Sequence, residues 1–78
     1  MSPVYINRVK GLGCELWIKN GSVFAVFNSI KECWDNCDKV EEIAMDSDSD
    51  WTIDVVSMSV LSNREGFRRA TEEELLSY

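Results

Sequence analysis

Carboxylates are the side chains with the greatest capacity for chemistry in this sequence, and they are concentrated in one stretch. Residues 32–54 carry nine of the 14 acids beside a single base, Lys39, so nine minus one leaves a local charge of −8 against −6 for the whole chain. Paired carboxylates can act as acid–base dyads, bind calcium, or form an acidic surface. The nine acids are Glu32, Asp35, Asp38, Glu41, Glu42, Asp46, Asp48, Asp50 and Asp54.

Catalytic use of these carboxylates is not expected. The sequence has no histidine, the commonest general base and a common metal ligand. Gly11-Leu12-Gly13 lacks the third glycine and the lysine of phosphate-binding loops, and no serine nucleophile motif is present. A carboxylate dyad needs a cleft that shifts its acidities, and a 78-residue chain rarely forms one. We therefore expect a noncatalytic protein without a cofactor.

The aspartates at 46, 48 and 50 have the spacing of the first three ligands of an EF-hand loop. The sixth position would be Trp51 instead of glycine, and the twelfth would be Ser57 instead of a bidentate glutamate. A solvated loop is therefore expected there, with no metal.

Three cysteines, an odd number, are typical of a reducing compartment. Cys33 and Cys37 would share one helix face, but without histidine or a second cysteine pair they make a poor zinc site. We expect buried small side chains, with metal binding and a redox or intermolecular disulfide role as alternatives. No membrane span or signal peptide is predicted, so a cytoplasmic single domain over residues 1–78 is expected.

A β-hairpin is the most strongly specified element. Segments 14–19 and 22–27 alternate on either side of Asn20-Gly21, a pair typical of a type I′ turn. That turn sets a register in which Trp17 faces Phe24 as a cross-strand aromatic pair on the outer side. The opposite, core side is predicted to carry Cys14, Leu16, Ile18, Val23, Ala25 and Phe27.

A long amphipathic helix is predicted next. Ser29 and Glu32 match a capping box. Spacings of three and four predict one buried stripe of Ile30, Cys33, Trp34, Cys37, Val40 and Ala44. The opposite face carries Asp35, Asp38 and Glu42, although Asp38 repels Glu42 and C-terminal acids oppose the helix dipole. An acidic face kept despite these penalties favours a function for it.

The remaining segments complete an α+β domain. Residues 4–9 are predicted as a first strand, 51–61 as a long strand with a bulge near Val55, and 67–70 as a short strand. Thr71 and Glu74 form a second capping box that begins a helix over 72–78. The expected order is β-β-β-α-β-β-α: a small antiparallel sheet of four to five strands with one amphipathic helix packed on one face.

Two surfaces are candidates for partner binding. The first is the acidic helix face with the loop after it, made of Asp35, Asp38, Glu42, Asp46, Asp48 and Asp50. The second is the pair Trp17 and Phe24, for which hairpin stabilisation or cover by a terminal segment is the alternative. The acidic field attracts cations and repels nucleic acid, so direct binding of duplex DNA is not expected.

One small basic cluster, Arg64, Arg68 and Arg69, lies near the C-terminus beside several glutamates. These arginines are expected to be solvated or paired within the protein. The alternative is a patch for an acidic protein region or a bound RNA.

In its size, its missing enzyme motifs, its acidic helix and loop and its compact order of elements, the chain resembles small acidic phage-encoded inhibitors, including anti-CRISPR and other anti-defence proteins. The resemblance implies that carboxylates stand in for phosphates on a basic, nucleic-acid-binding surface of a larger protein in the host cytosol. Inhibition would be steric or would lock the effector in an inactive form. The arginine cluster departs from a pure DNA mimic.

Other functions remain open from the sequence. The chain would alternatively be an adaptor or homodimeric regulatory subunit that binds through Trp17, Phe24 and either Tyr5 or Tyr78. A noncatalytic transcription or polymerase modulator is a third hypothesis, and acids that serve only solubility are the simplest. Salt separates the first two, because charge-led binding weakens with ionic strength.

Overall fold

Four strands and four helical segments form an α+β fold in the computed structural model, which describes residues 2–46, 53–61 and 65–77. The α+β class agrees with the sequence-based prediction, whereas the strand count and order differ in part, because the predicted order contains five strands and the described residues form four. The elements are α1 (Pro3–Lys10), β1 (Glu15–Lys19), β2 (Ser22–Phe27), α2 (Ile30–Asp46), β3 (Ile53–Ser57), α3 (Met58–Leu61), β4 (Arg68–Arg69) and α4 (Glu72–Leu76).

The hairpin of β1 and β2 has the predicted register. Trp17 faces Phe24, Leu16 faces Ala25 and Lys19 faces Ser22. Asn20 and Gly21 both adopt positive φ, at 50° and 80°, as a type I′ turn requires. The predicted core side is buried along its whole length, which confirms that the turn and the alternation together set the register.

The sheet is mixed, with strand order β3-β2-β1-β4, so the predicted wholly antiparallel sheet is wrong. β2 and β3 pair in parallel, whereas β1 pairs antiparallel with both β2 and β4. Parallel neighbours need a long crossover connection, and the 17-residue α2 lies within that connection. β3 is consequently an edge strand in the described part of the chain.

The first predicted strand, residues 4–9, is a helix instead. Ser2 caps α1 by accepting from the Tyr5 N–H, and Pro3 occupies the first turn, where its missing N–H costs nothing. Ile6 and Val9, three residues apart, are the buried side chains. A segment this short fits both a period of two and a period of 3.6, and packing on the core favours the helix.

The predicted long strand over 51–61 is divided into β3 and α3. The register of β3 runs without interruption from Ile53 to Ser57, so there is no bulge at Val55, and Val56 pairs with the buried Val26 on the other face of the sheet. The backbone changes from strand to helix at Met58. The predicted strand over 67–70 is reduced to the two residues of β4. The second capping box is confirmed: Thr71 and Glu74 cap each other's backbone at the start of α4.

The main core lies on one side of the sheet. Ile6 and Val9 of α1, Val40 and Ile43 of α2, and Leu75 of α4 join the core side of the hairpin in one cluster. In the described residues, no helix is both long and apolar enough to cross a membrane.

Candidate protein-binding surface

The start of α2 is capped much as the sequence predicts. The Ser29 Oγ accepts from the Glu32 N–H at 3.2 Å. The Glu32 carboxylate accepts from the N–H of Asn28, also at 3.2 Å, one residue earlier than in the standard box. These bonds satisfy backbone donors that would otherwise lack partners at the helix start.

The buried side of α2 is rotated from the predicted stripe. Val40 and Ile43 are buried, whereas Ile30 and Trp34 are 62% and 76% exposed. At about 100° per residue, Trp34 lies roughly 120° around the helix from Val40. The predicted placement of Trp34 and Ile30 in the core is therefore wrong, because the core takes the arc between Val40 and Ile43.

The solvent side of α2 carries both exposed apolar side chains and exposed acids. The apolar ones are Ile30, Trp34 and Met45, of which Met45 is 77% exposed, and the exposed Glu41 lies between Trp34 and Met45 on the same face. The acidic row consists of Asp35, Asp38 and Glu42, all exposed. Because α2 carries six acids and two lysines, its net charge is −4, so an exposed tryptophan lies beside a negative field.

Asp46 has a partner on another helix, whereas Asp38 in the acidic row accepts from the thiol of the adjacent Cys37 at 3.9 Å. Its carboxylate forms an ion pair with Arg8 of α1 at 3.2 Å, and its carbonyl accepts from the Tyr5 hydroxyl. Arg8 thus offsets the charge of an acid at the C-terminal end of α2 and joins the two helices. Asp48 and Asp50, the other loop residues predicted for partner binding, lie outside the described residues.

An open groove of about 460 Å³ runs between α2 and β3. Apolar residues line the groove together with two acidic ones, Glu41 and Asp54. Ile53 and Val55 are half-buried against the core. The groove could not be predicted from the sequence, because it forms only when β3 lies in parallel beside β2, under α2. The lining residues are Cys37, Val40, Glu41, Ala44, Met45, Ile53, Asp54 and Val55.

The second predicted surface, Trp17 with Phe24, is half-buried and contacts the C-terminal segment. The Trp17 Nε1–H donates to Glu15 at 3.1 Å, and the Arg69 guanidinium lies 5.8 Å from the centre of the Trp17 ring. Phe24 packs edge-on against Phe67 at 5.0 Å between ring centres. These contacts are the ones expected if a terminal segment covers the aromatic pair.

The two described arginines near the C-terminus are paired within the protein. Arg69 binds Glu15 at 2.9 Å, and Arg68 forms an ion pair with Glu74. Hydrogen bonds from Arg68 and then from the Thr71 backbone lower the pKa of the Glu74 carboxyl to about 2. Arg64 lies outside the described residues.

The three cysteines are free thiols in different environments. Burial raises the pKa of Cys14 to about 11, and its thiol donates to the Val9 carbonyl. Burial, followed by the charge of Glu32, raises the pKa of the half-buried Cys33. Cys37 is half-buried and lines the groove. Within the described ranges, no group of three potential metal ligands converges.

Comparison with known proteins adds no relative to this geometry. The chain matches no protein-family model, no curated protein and no solved structure. The chemistry of its surfaces is therefore what indicates a function.

Proposed function

We propose that this chain is a noncatalytic binding protein of the phage-encoded inhibitor type, anti-CRISPR or otherwise anti-defence. It occupies a basic, nucleic-acid-binding surface of a larger effector through α2. One observation carries the proposal: the acidic row and the exposed Trp34 lie side by side on the solvent face of a single capped helix.

The two components have different physical tasks. Exposed carboxylates give long-range attraction that speeds the encounter with a cationic surface, although each pair is weak in water. Tryptophan contributes the larger affinity, because burial of its ring at an interface removes much apolar area from water. Trp34 is available for this, since 76% of its surface is exposed.

The length of the acidic row sets the size of the contact. From Asp35 to Glu42 the helix rises about 10 Å, at roughly 1.5 Å per residue. Duplex DNA carries one charge per about 1.7 Å of axis, roughly twice the charge density of the row. The row therefore matches two or three lysine or arginine side chains at one point of a nucleic-acid site.

The test is capture of the tagged protein's partner from bacterial lysate that contains CRISPR effectors, followed by mass spectrometry. The critical variant reverses Asp35, Asp38 and Glu42 to lysine. The matched control reverses three exposed acids away from α2 to lysine, which gives the same change in charge. Those control positions are Glu65, Glu72 and Glu73.

We expect a nucleic-acid-handling protein to be captured by the wild type and by the control, released by salt, and lost with the α2 variant. Added duplex DNA should compete for the same protein. If both variants lose capture equally, the net charge of the protein, and not the position of the acidic row, controls binding. If the α2 variant still captures the protein but the Trp17→Ala variant does not, the binding site is on the hairpin instead.

A further inference from the structure

The outer edge of β3 combines an unpaired strand with an apolar groove. β3 pairs with β2 on one side, and no described strand pairs with its other side. An edge strand presents backbone N–H and C=O groups that can accept a further strand. The groove runs along this edge, between β3 and α2.

The register of β3 determines what each side of an added strand would meet. Ile53 and Val55 are paired with Val23 and Ala25, so they lie on the core side of the sheet, below α2. Asp54 is exposed and paired with Phe24, so it lies on the outer side. An added strand would thus place alternate residues against an apolar wall and beside a carboxylate.

We propose that this edge binds an extended segment of the larger partner as a fifth strand of the sheet. The segment alternates apolar side chains, which enter the groove, with lysine or arginine side chains, which lie beside Asp54. This inference rests on the proposed function, and it defines the chemistry of a second contact next to the acidic row.

Charge decides between a partner segment and a second copy of this chain. Both charged residues that line the groove, Glu41 on α2 and Asp54 on β3, are acidic, although the Asp54 side chain lies on the outer side of the sheet, and α2 as a whole carries −4. Two copies joined through β3 would bring these acids together, and like charges across strands are destabilising. A basic segment gains from the same field.

Dimensions favour an extended segment over a helix. An added strand lies only about 4.8 Å beyond its neighbour, whereas a helix with side chains needs roughly 10 Å. A volume of about 460 Å³ suits a few apolar side chains of such a strand. Glu41 and Met45, both exposed, form the upper wall.

The probe is a capped seven-residue peptide of alternating lysine and valine, titrated into isotope-labelled protein and followed by amide chemical shifts. The control peptide has the same side chains but N-methylated backbone amides, so it cannot pair as a strand. Two protein variants with equal change in charge complete the design: Asp54→Lys on β3 and Asp35→Lys on the acidic row. Both positions are exposed, and the spectrum of each free variant reports whether it is folded.

We expect saturable shifts over β3 and at Ala44 and Met45, with binding at least tenfold weaker for the methylated peptide. Asp54→Lys should weaken binding by about tenfold, because Asp54 lies beside the basic side chains of the added strand, and Asp35→Lys by no more than about twofold. Equal binding of both peptides, shifts confined to the acidic row, or no binding would overturn strand addition.

The two proposals fail separately. If reversal of the acidic row abolishes capture but the peptide does not bind β3, the α2 contact is supported and strand addition is wrong. If the peptide binds β3 but reversal of the acidic row does not reduce capture, strand addition is supported and the proposed role of the acidic row is wrong.

Discussion

Trp17 and Trp34 lie on two surfaces that differ in how many contacts the tryptophan makes within the protein. On the outer face of the hairpin, Trp17 has a hydrogen bond to Glu15 and a guanidinium, that of Arg69, above its ring. On α2, Trp34 is largely exposed and lies beside the acidic row. The hairpin face uses its aromatic and charged groups for internal contacts, whereas α2 presents them to solvent.

This difference shows that residue type alone does not identify a binding surface. Both regions contain tryptophan and carboxylates, but at the hairpin face the C-terminal segment supplies an arginine to Trp17 and a phenylalanine to Phe24. An aromatic side chain that already has partners gains less from a new interface, because part of its area is already removed from water. Substitutions and titrations at each region test whether its side chains make contacts within the protein or are exposed to solvent.

The largest effect concerns Glu74, whose carboxylate is paired with Arg68. With its pKa lowered to about 2, this pairing contributes stability above the ordinary pKa of 4.5, and the contribution is lost as pH falls toward 2. Arg68→Ala should raise the pKa of Glu74 toward 4.5, while the hydrogen bonds from Thr71 keep it below that value. An NMR titration of the side-chain carboxyl measures it, and an unchanged pKa in the variant would show that Arg68 is not the cause.

The next largest effect is the difference in reactivity between the buried Cys14 thiol and the Cys37 thiol at the groove. A pKa raised from 9.0 to about 11 leaves Cys14 with roughly 100-fold less thiolate near neutral pH, and burial slows it further. Cys37, half-buried at the groove, should react first with a thiol reagent in native protein. Labelling of the Cys14→Ser and Cys37→Ser variants shows which thiol gives which kinetic phase of the reaction. Rapid labelling of Cys14 below its pKa, without unfolding, would contradict the buried environment.

Stability should separate the two tryptophans. Trp17→Ala removes the contact with Arg69, the hydrogen bond to Glu15 and the cross-strand pair, for an expected loss of about 2 kcal/mol. Trp34→Ala should change the free energy of unfolding by no more than about 0.5 kcal/mol, because the side chain is exposed. Urea unfolding followed by circular dichroism measures both. Equal losses would remove the distinction between the two surfaces.

The smallest effect is expected within the acidic row. Asp38 has acids at three and four positions away, Asp35, Glu41 and Glu42, so Asp38→Asn should stabilise the protein by about 0.3 kcal/mol at low salt. Asp35 has two lysines four residues away, Lys31 and Lys39, but also two acids three residues away, so these effects largely cancel and Asp35→Asn should change stability by less than Asp38→Asn does. Thermal unfolding at low and high salt checks this difference. A loss of stability in Asp38→Asn would show that this carboxylate has an internal role.

Features that depend on near neighbours could be predicted from the sequence. The hairpin register followed from Asn20-Gly21, and the starts of α2 and α4 followed from their capping residues. The exposed positions of Asp35, Asp38 and Glu42 followed from helical periodicity. The helix at residues 3–10 could have been found from Ser2, Pro3 and the spacing of Ile6 and Val9, a signal that the alternating reading outweighed.

Local sequence specifies the hairpin, the long capped helix and the acidic side of that helix, because turns, caps and periodicity act over a few residues. Long-range packing sets the parallel pairing of β3 with β2, and it leaves Trp34 facing solvent while Ile43 is buried. It also decided that Arg69 covers Trp17, and that a groove opens beside an edge strand. Those outcomes depend on which distant segments share one core, and local sequence carries little information about that choice.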